Sequence, residues 1–256
     1  MEETIIRECT TIEEFDVCID LQREAFGLAD LEISPRRHLI VSRQTGGWTL
    51  AAHVNDRMVG FVHHLAAVKS DNEIFGYSHM MAVAKDFQNK GVGARLKWAQ
   101  RQRALDEGRR FIKWTWDPMQ ARNAHFNLNR LGVVVDTFGD NFYGMDYNSD
   151  PTQAADHKPG LQSDRLFGNW YLGSPKVETL SRGDTFTHPT KPVRSVAIPA
   201  EWSALIRNDV AKARAEQVRV RTEFKKAFSE GLVCAGFERG SDYSNYLLFR
   251  REDLEY

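Results

Sequence analysis

Six consecutive residues, Gln88-Asn89-Lys90-Gly91-Val92-Gly93, carry the clearest chemistry in this chain. They link an apolar run of strand character, Tyr77 to Val83, to a segment whose Val92, Leu96, Ala99 and Leu105 fall roughly on one helical face. A glycine-bearing turn at a helix start presents main-chain N–H groups that have no partner inside the helix. With the positive end of the helix dipole, these donors suit a phosphate or pyrophosphate. Gly91 and Gly93 let an anion approach the main chain, and Lys90 and Arg95 add positive charge. The spacing is neither the dinucleotide-binding Gly-x-Gly-x-x-Gly nor a P-loop. On the preceding strand Tyr77, His79, Met81 and Val83 alternate onto one face, and an imidazole there titrates near neutrality. His79 is therefore the first candidate for a general base, with a hydrogen-bonded sheet histidine as the alternative. His63 and His64 are adjacent and must point to opposite faces, so at most one shares a cleft and neither is favoured; His125 reads as a surface residue.

The turn resembles motif A of the GNAT acetyltransferases, Gln/Arg-x-x-Gly-x-Gly/Ala after a strand ending in Val, here Val83 and then Gln88 to Gly93. A second stretch, Asn123-Ala124-His125-Phe126-Asn127-Leu128-Asn129-Arg130-Leu131-Gly132-Val133, is similar to that family's Asn-x-x-Ala helix and its Leu-Gly ending. The resemblance implies a mixed α/β (α+β) fold and an acyl-CoA dependent N-acyltransferase that transfers acetyl from acetyl-CoA to an amine by direct attack. By that resemblance Met81, Ala82 and Val83 bind the pantetheine arm and polarise the acyl carbonyl, and Gln88, Asn89, Lys90, Gly91, Val92, Gly93 and Ala94 hold the pyrophosphate. Asn123 and Phe126 belong to the same cofactor set; Asn123 equally could cap its own helix. The family's thiolate donor is commonly a tyrosine four residues before the motif's glycine, and here that position is Leu128. Tyr143 is the substitute. The alternative is an inactive GNAT-fold protein that senses acyl-CoA or binds another protein.

Composition narrows the partners. Net charge is -1 and the pI about 6.7, which gives no electrostatic case for nucleic acid or an anionic membrane surface. No apolar run approaches a membrane span, and the N-terminus lacks a signal-peptide core, so a cytoplasmic protein is expected. Cys9, Cys18 and Cys234 are odd in number and separated, which argues against a disulfide framework and a cysteine zinc site. Without His-x-x-x-His spacing or a Ser-His-Asp order, no metal and no triad is expected. The implied partner is a small-molecule amine, with a homodimer left open.

These residues need positioning elements. A strand over Thr4 to Glu8 precedes a capping box at Thr11-Ile12-Glu13-Glu14, which opens a helix through about Ala25. Ile12, Phe15, Ile19 and Phe26 supply its expected buried face, and Gly27 ends it. A shorter helix runs within Ala29 to Gln44 from Ser34-Pro35, and a hairpin joins Trp48–Val54 to Met58–Val68. Strand Ile74–Val83 enters motif A; its helix ends at Gly108, and strand Phe111–Trp116 leads to the second motif's helix, Gln120 to Leu131. Val133–Phe138 and Phe142–Tyr147 are read as a hairpin. The expected division is a GNAT domain at 1–147, a polar linker at 148–160 and a smaller C-terminal α/β unit at 161–256. That unit holds Asp164–Leu172, a strand Val193–Pro199, one long helix from about Ala200 to Glu230 and two closing strands. The helix buries Trp202, Ile206, Val210, Val220, Phe224 and Phe228 and carries a basic run that reads as a solvated face.

Overall fold

The computed structural model describes residues 3–27, 30–69, 71–144 and 161–256; the expected linker and Tyr147 lie outside the described residues. The chain forms two compact units, 1–113 and 114–256.

In the first unit five strands lie in the order β1 (Ile5–Glu8), β2 (Trp48–Val54), β3 (Arg57–Val68), β4 (Ile74–Val83) and β5 (from Phe111), with α1 (Ile12–Phe26), α2 (Arg36–Gln44) and α3 (Val92–Asp106) between them. The β2–β3 loop is two residues, and Asn55 (φ 46°) and Asp56 (φ 61°) both take positive φ, the conformation that matches a tight hairpin to the strands' twist. The capping box forms: the Glu14 amide donates to Thr11 Oγ1 at 3.3 Å, and the Thr11 amide donates to Glu14 Oε2 at 3.1 Å. Gly27 closes α1 at φ 60°.

The buried face of α1 differs from expectation. Phe15, Cys18, Leu21 and Gln22 are buried, whereas Ile12 and Phe26 are 55% and 39% exposed. Both exposed residues sit in terminal turns, where the core ends. The core itself has a layer on each sheet face: Phe15, Leu21, Leu39, Phe61 and Ala82 on the α1/α2 side, and Leu50, Val62, Val92 and Leu96 on the α3 side. Each large apolar side chain buried here contributes about 1.5–3 kcal/mol. Cys9 and Cys18 are free and buried in the first layer.

The second unit takes the last residues of β5 and begins with α4 (Ala121–His125), which continues as a π-helical turn, Phe126–Arg130. Its strands run in the order β7 (Arg165–Tyr171), β6 (Val134–Gly139), β9 (Leu232–Glu238), β10 (Tyr243–Arg250) and β8 (Arg194–Pro199). Two expectations change. Phe142 to Gly144 form no strand; β6 pairs instead with β7 (Val134 opposite Asn169) and with β9 (Val135 opposite Cys234). The motif B helix also belongs with the C-terminal elements, because the Asn129 amide group bonds both the Phe237 carbonyl (2.7 Å) and its N–H (3.0 Å). The Trp170 indole donates to the Leu131 carbonyl at 2.7 Å. The compact units thus divide earlier than the expected boundary, and the second is the longer.

The long C-terminal helix is two, α6 (Trp202–Asn208) and α7 (Val210–Ser229), broken at Asp209, whose carboxylate caps α7 through the Lys212 N–H at 2.9 Å. Moving the break re-phases the buried face to Ala213, Gln217, Val220, Phe224 and Ala227; Val210 and Phe228 are only partly covered. Arg219 pairs with Glu216 and Glu223, Arg221 with Asp164, and Lys225 with Asp140, so much of the basic run is spent on intramolecular ion pairs. A short helix, α5 (Pro175–Ser181), lies between β7 and β8.

Candidate active site

The motif A turn has the local features of an anion cradle. Asn89 (φ 61°) and Gly91 (φ 84°) lie in the left-handed region, and Gly91 is the residue before α3. A Cβ on Gly91 would meet nothing within 4 Å, so the turn faces open space there. Among the described residues the N–H groups of Asn89 to Ala94 have no main-chain or side-chain acceptor; the Arg95 N–H is the first satisfied, by the Gly91 carbonyl at 3.1 Å. No acidic residue occupies the first turn of α3. Lys90 lies over the Phe87 ring at 5.1 Å, and neither it nor Arg95 has a carboxylate partner among the described residues. Gln88 turns inward and donates to the Val83 carbonyl at 3.1 Å, which fixes the strand end relative to the turn.

Strand β4 explains where the imidazoles go. Met80 pairs with His63 and Ser78 with His64, leaving His79 as an extra residue, a β-bulge. The bulge breaks the expected alternation. Met81 and Val83 pack on the α3 side, while His79 projects on the other, where its Nε2 lies 2.8 Å from Ser34 Oγ. His38, from α2, and His63 complete a cluster with ring centroids 5.4–6.0 Å apart. His63 is fully buried: its Nδ1 meets Thr49 Oγ1 at 2.8 Å, and its Nε2 has no partner. Burial, then His79 and His38, push the His63 pKa down to about 3, and burial, then His38, lowers that of His79. His79 is therefore neutral at neutral pH and able to accept a proton.

His64 points the opposite way, as adjacency demands. It stacks on Trp48 at 4.1 Å, and its ring nitrogens meet Gln100 (3.2 Å) and Arg109 (2.6 Å). Burial, then Arg109 and Lys97, push its pKa down to about 2. Beside it Lys97, 3% exposed, donates to Ser78 Oγ at 2.8 Å and Gln100 Oε1 at 3.0 Å, tying α3 to β4 next to the bulge. Burial lowers the Lys97 pKa well below the usual amine range. Sequence reasoning missed Ser34, His38, Thr49 and Lys97, because nothing in their spacing links them; only register and packing do.

On its outer side β4 pairs with β5 through Gly76–Ile112 and Tyr77–Lys113. Among the described residues β5 pairs with nothing on β4 beyond Tyr77, so the outward main-chain groups of Met81 have no partner in β5, while the Ala84 N–H donates to the Val59 carbonyl of β3 and the Val83 carbonyl accepts from Gln88. Asn123, Phe126 and Tyr143 belong to the second unit. Asn123 is exposed and is not the cap of its helix, a position held by Gln120. Phe126 is half-buried and opens the π-helical turn, and Leu128 is fully buried. Tyr143 is 59% exposed, with its hydroxyl 3.2 Å from Thr115 Oγ1. His125 is half-buried, and burial, then Arg239 and Arg130, lowers its pKa. Among the described residues no group of three metal-ligating side chains could hold a metal ion. No helix is long and apolar enough to cross a membrane among those residues.

The fold matches that of N-acetyltransferases. An N-acetyltransferase from Staphylococcus aureus Mu50 aligns over 66% of this chain and 99% of its own at 13% identity, with a TM-score of 0.52. The ribosomal-protein-S18-alanine N-acetyltransferase of Escherichia coli aligns over 66% and 94% at 14% identity, with a TM-score of 0.50. Residues 15–132, just under half of the chain, match the acetyltransferase (GNAT) family. No curated protein matches it by sequence.

Proposed function

We propose that this protein is an acyl-CoA dependent N-acyltransferase, with acetyl-CoA the first donor to test and a small amine as acceptor. The observation that carries the reading is the row of unpartnered N–H groups from Asn89 to Ala94 at the start of α3, flanked by Lys90 and Arg95. In this reading Gln88 to Ala94 hold the pyrophosphate, and the main-chain groups of Met81 to Val83 orient the thioester and its carbonyl. Each N–H aimed at the developing oxyanion is worth about 3 kcal/mol. The amine nitrogen attacks the thioester carbonyl, its proton passes to the neutral His79 imidazole, the C–S bond breaks, and the thiolate takes a proton. Holding amine and thioester together supplies several kcal/mol more.

One observation favours a second reading. Leu128 is fully buried, so the family's tyrosine position offers no proton donor, and an acyl-CoA binder without turnover fits that fact. Calorimetric titration with acetyl-CoA and longer acyl-CoAs, with dephospho-CoA and NAD as controls, and thiol release across a panel of amines separate the two. Selective binding with thiol release supports the enzyme; selective binding without turnover for any amine supports the sensor. Absence of binding would overturn both.

A further inference from the structure

The second unit contains a cavity of about 280 Å³ that the acyltransferase reading does not use. It is at the small end of ligand pockets, which run from about 300 to 1,000 Å³. Its walls are largely apolar and aromatic: Tyr171 and Tyr256 stack at 4.8 Å on one side, and the Phe186 ring meets His188 edge-on at 5.2 Å. Lys176, 7% exposed, lines it.

Lys176 has no carboxylate partner among the described residues. Its Nζ donates to the Ala235 carbonyl and lies 3.4 Å from His188 Nε2. That imidazole nitrogen is itself 3.0 Å from the same carbonyl, and the simplest assignment gives it the proton it donates there. In that tautomer Nε2 cannot accept, so among the described residues the ammonium meets, beyond the Ala235 carbonyl, only the face of the Phe186 ring, 5.9 Å from its centroid, and no opposite charge. Burying a cation without an opposite charge is unfavourable, and an anion in the cavity would relieve it. Asp253 and Glu255 stand among the lining residues and repel a multiply charged ligand.

We propose that this cavity binds a small monocarboxylate with an apolar aromatic or aliphatic body, its carboxylate accepting from Lys176 and its body lying among Tyr171, Phe186 and Tyr256. Burial brings the free Lys176 amine down to about 8 and, with Lys176 nearby, His188 down to about 4. Lys176 is thus still mostly protonated at pH 7, and His188 adds no competing charge.

The test uses the full chain and ligand-observed NMR with phenylacetate, hexanoate, phenylacetamide and succinate. The two monocarboxylates should saturate, with the amide and the dicarboxylate at least tenfold weaker. Lys176→Met keeps the stem and removes the charge, and it should weaken phenylacetate tenfold or more while the thermal melt stays cooperative. If that variant does not fold, reductive methylation of the wild-type protein with mass spectrometry gives the same answer: phenylacetate, and not phenylacetamide, should protect Lys176. No binding of either monocarboxylate, equal binding of acid and amide, undiminished binding by folded Lys176→Met, or labelling of Lys176 unchanged by phenylacetate would each overturn the proposal. None of these readouts depends on acyl-CoA binding or turnover.

Discussion

Two neighbouring residues of one strand, His63 and His64, end in opposite environments. His63 meets Thr49 through one nitrogen and leaves the other unpartnered among His38 and His79, beside solvent-exposed groups. His64 has a polar neighbour at each ring nitrogen, with Nε2 accepting from Arg109, and is stacked on an indole, within a buried network reaching Lys97 and Gln100. Residue type is the same and burial is the same. What differs is the partner set, and with it the role: the unsatisfied face adjoins the candidate base, while the satisfied face holds α3 against β4. Burial alone therefore does not tell a site histidine from a scaffold histidine; the count of unsatisfied donors and acceptors does.

That contrast can be broken at several points. The largest effect is expected from His64→Ala, which removes a stacked ring and one partner of the buried Arg109, at a cost of about 3 kcal/mol. In a thermal melt this is a fall of roughly 10 °C, with turnover per folded molecule unchanged; a turnover loss beyond the unfolded fraction would mean that the closed face takes part in chemistry. His79→Ala should do the reverse, lowering turnover about a hundredfold with the melt nearly unmoved. Its pH profile should also lose the limb that wild type shows below the ordinary histidine value, since burial lowers the His79 pKa and acid must protonate it to stop catalysis.

Acid should then weaken the fold itself. His63 and His64 titrate at about 3 and about 2 when folded, against 6.5 for an ordinary histidine. Below 6.5 the unfolded chain takes protons that the folded chain refuses, so stability present above 6.5 is lost as pH falls toward those values. Each histidine contributes about 2 kcal/mol of that loss between pH 7 and 5. Denaturant melts of wild type and His64→Ala at both pH values check the sign, because the variant should show the smaller loss. Away from both faces, Thr11→Ala should cost only about 1 kcal/mol through the cap of α1, readable as a small shift in the denaturant midpoint.

Local signals carried much of the fold. Gly27, Asn55-Asp56 and Gly108 act through backbone geometry and Thr11 through its side-chain cap, all within a few residues, so their helix ends and hairpin could be read in order along the chain. The motif A turn was legible for the same reason. The faces of β4 were not, because one inserted residue at His79 inverts an alternation that looks unbroken in sequence. The break at Asp209 was hidden because a good capping residue sits inside an otherwise continuous helical pattern. The pairing of β6 with β9 lay out of reach, since the two strands are separated by about a hundred residues and nothing local selects the partner. His38, Ser34 and Lys97 fall in the same class: long-range register brings them to the imidazole cluster and the bulge.

The central claim is that main-chain N–H groups at the start of α3 grip an acyl-CoA pyrophosphate. Its most direct test follows the backbone amide resonances of Asn89 to Ala94 by heteronuclear NMR as acetyl-CoA is added. The account predicts saturable shifts at those amides, the largest near Gly91 and Gly93, with Lys90→Glu combined with Arg95→Glu weakening the titration at least tenfold. Saturable acetyl-CoA binding that leaves those six amides unmoved, or no binding at all, would contradict it.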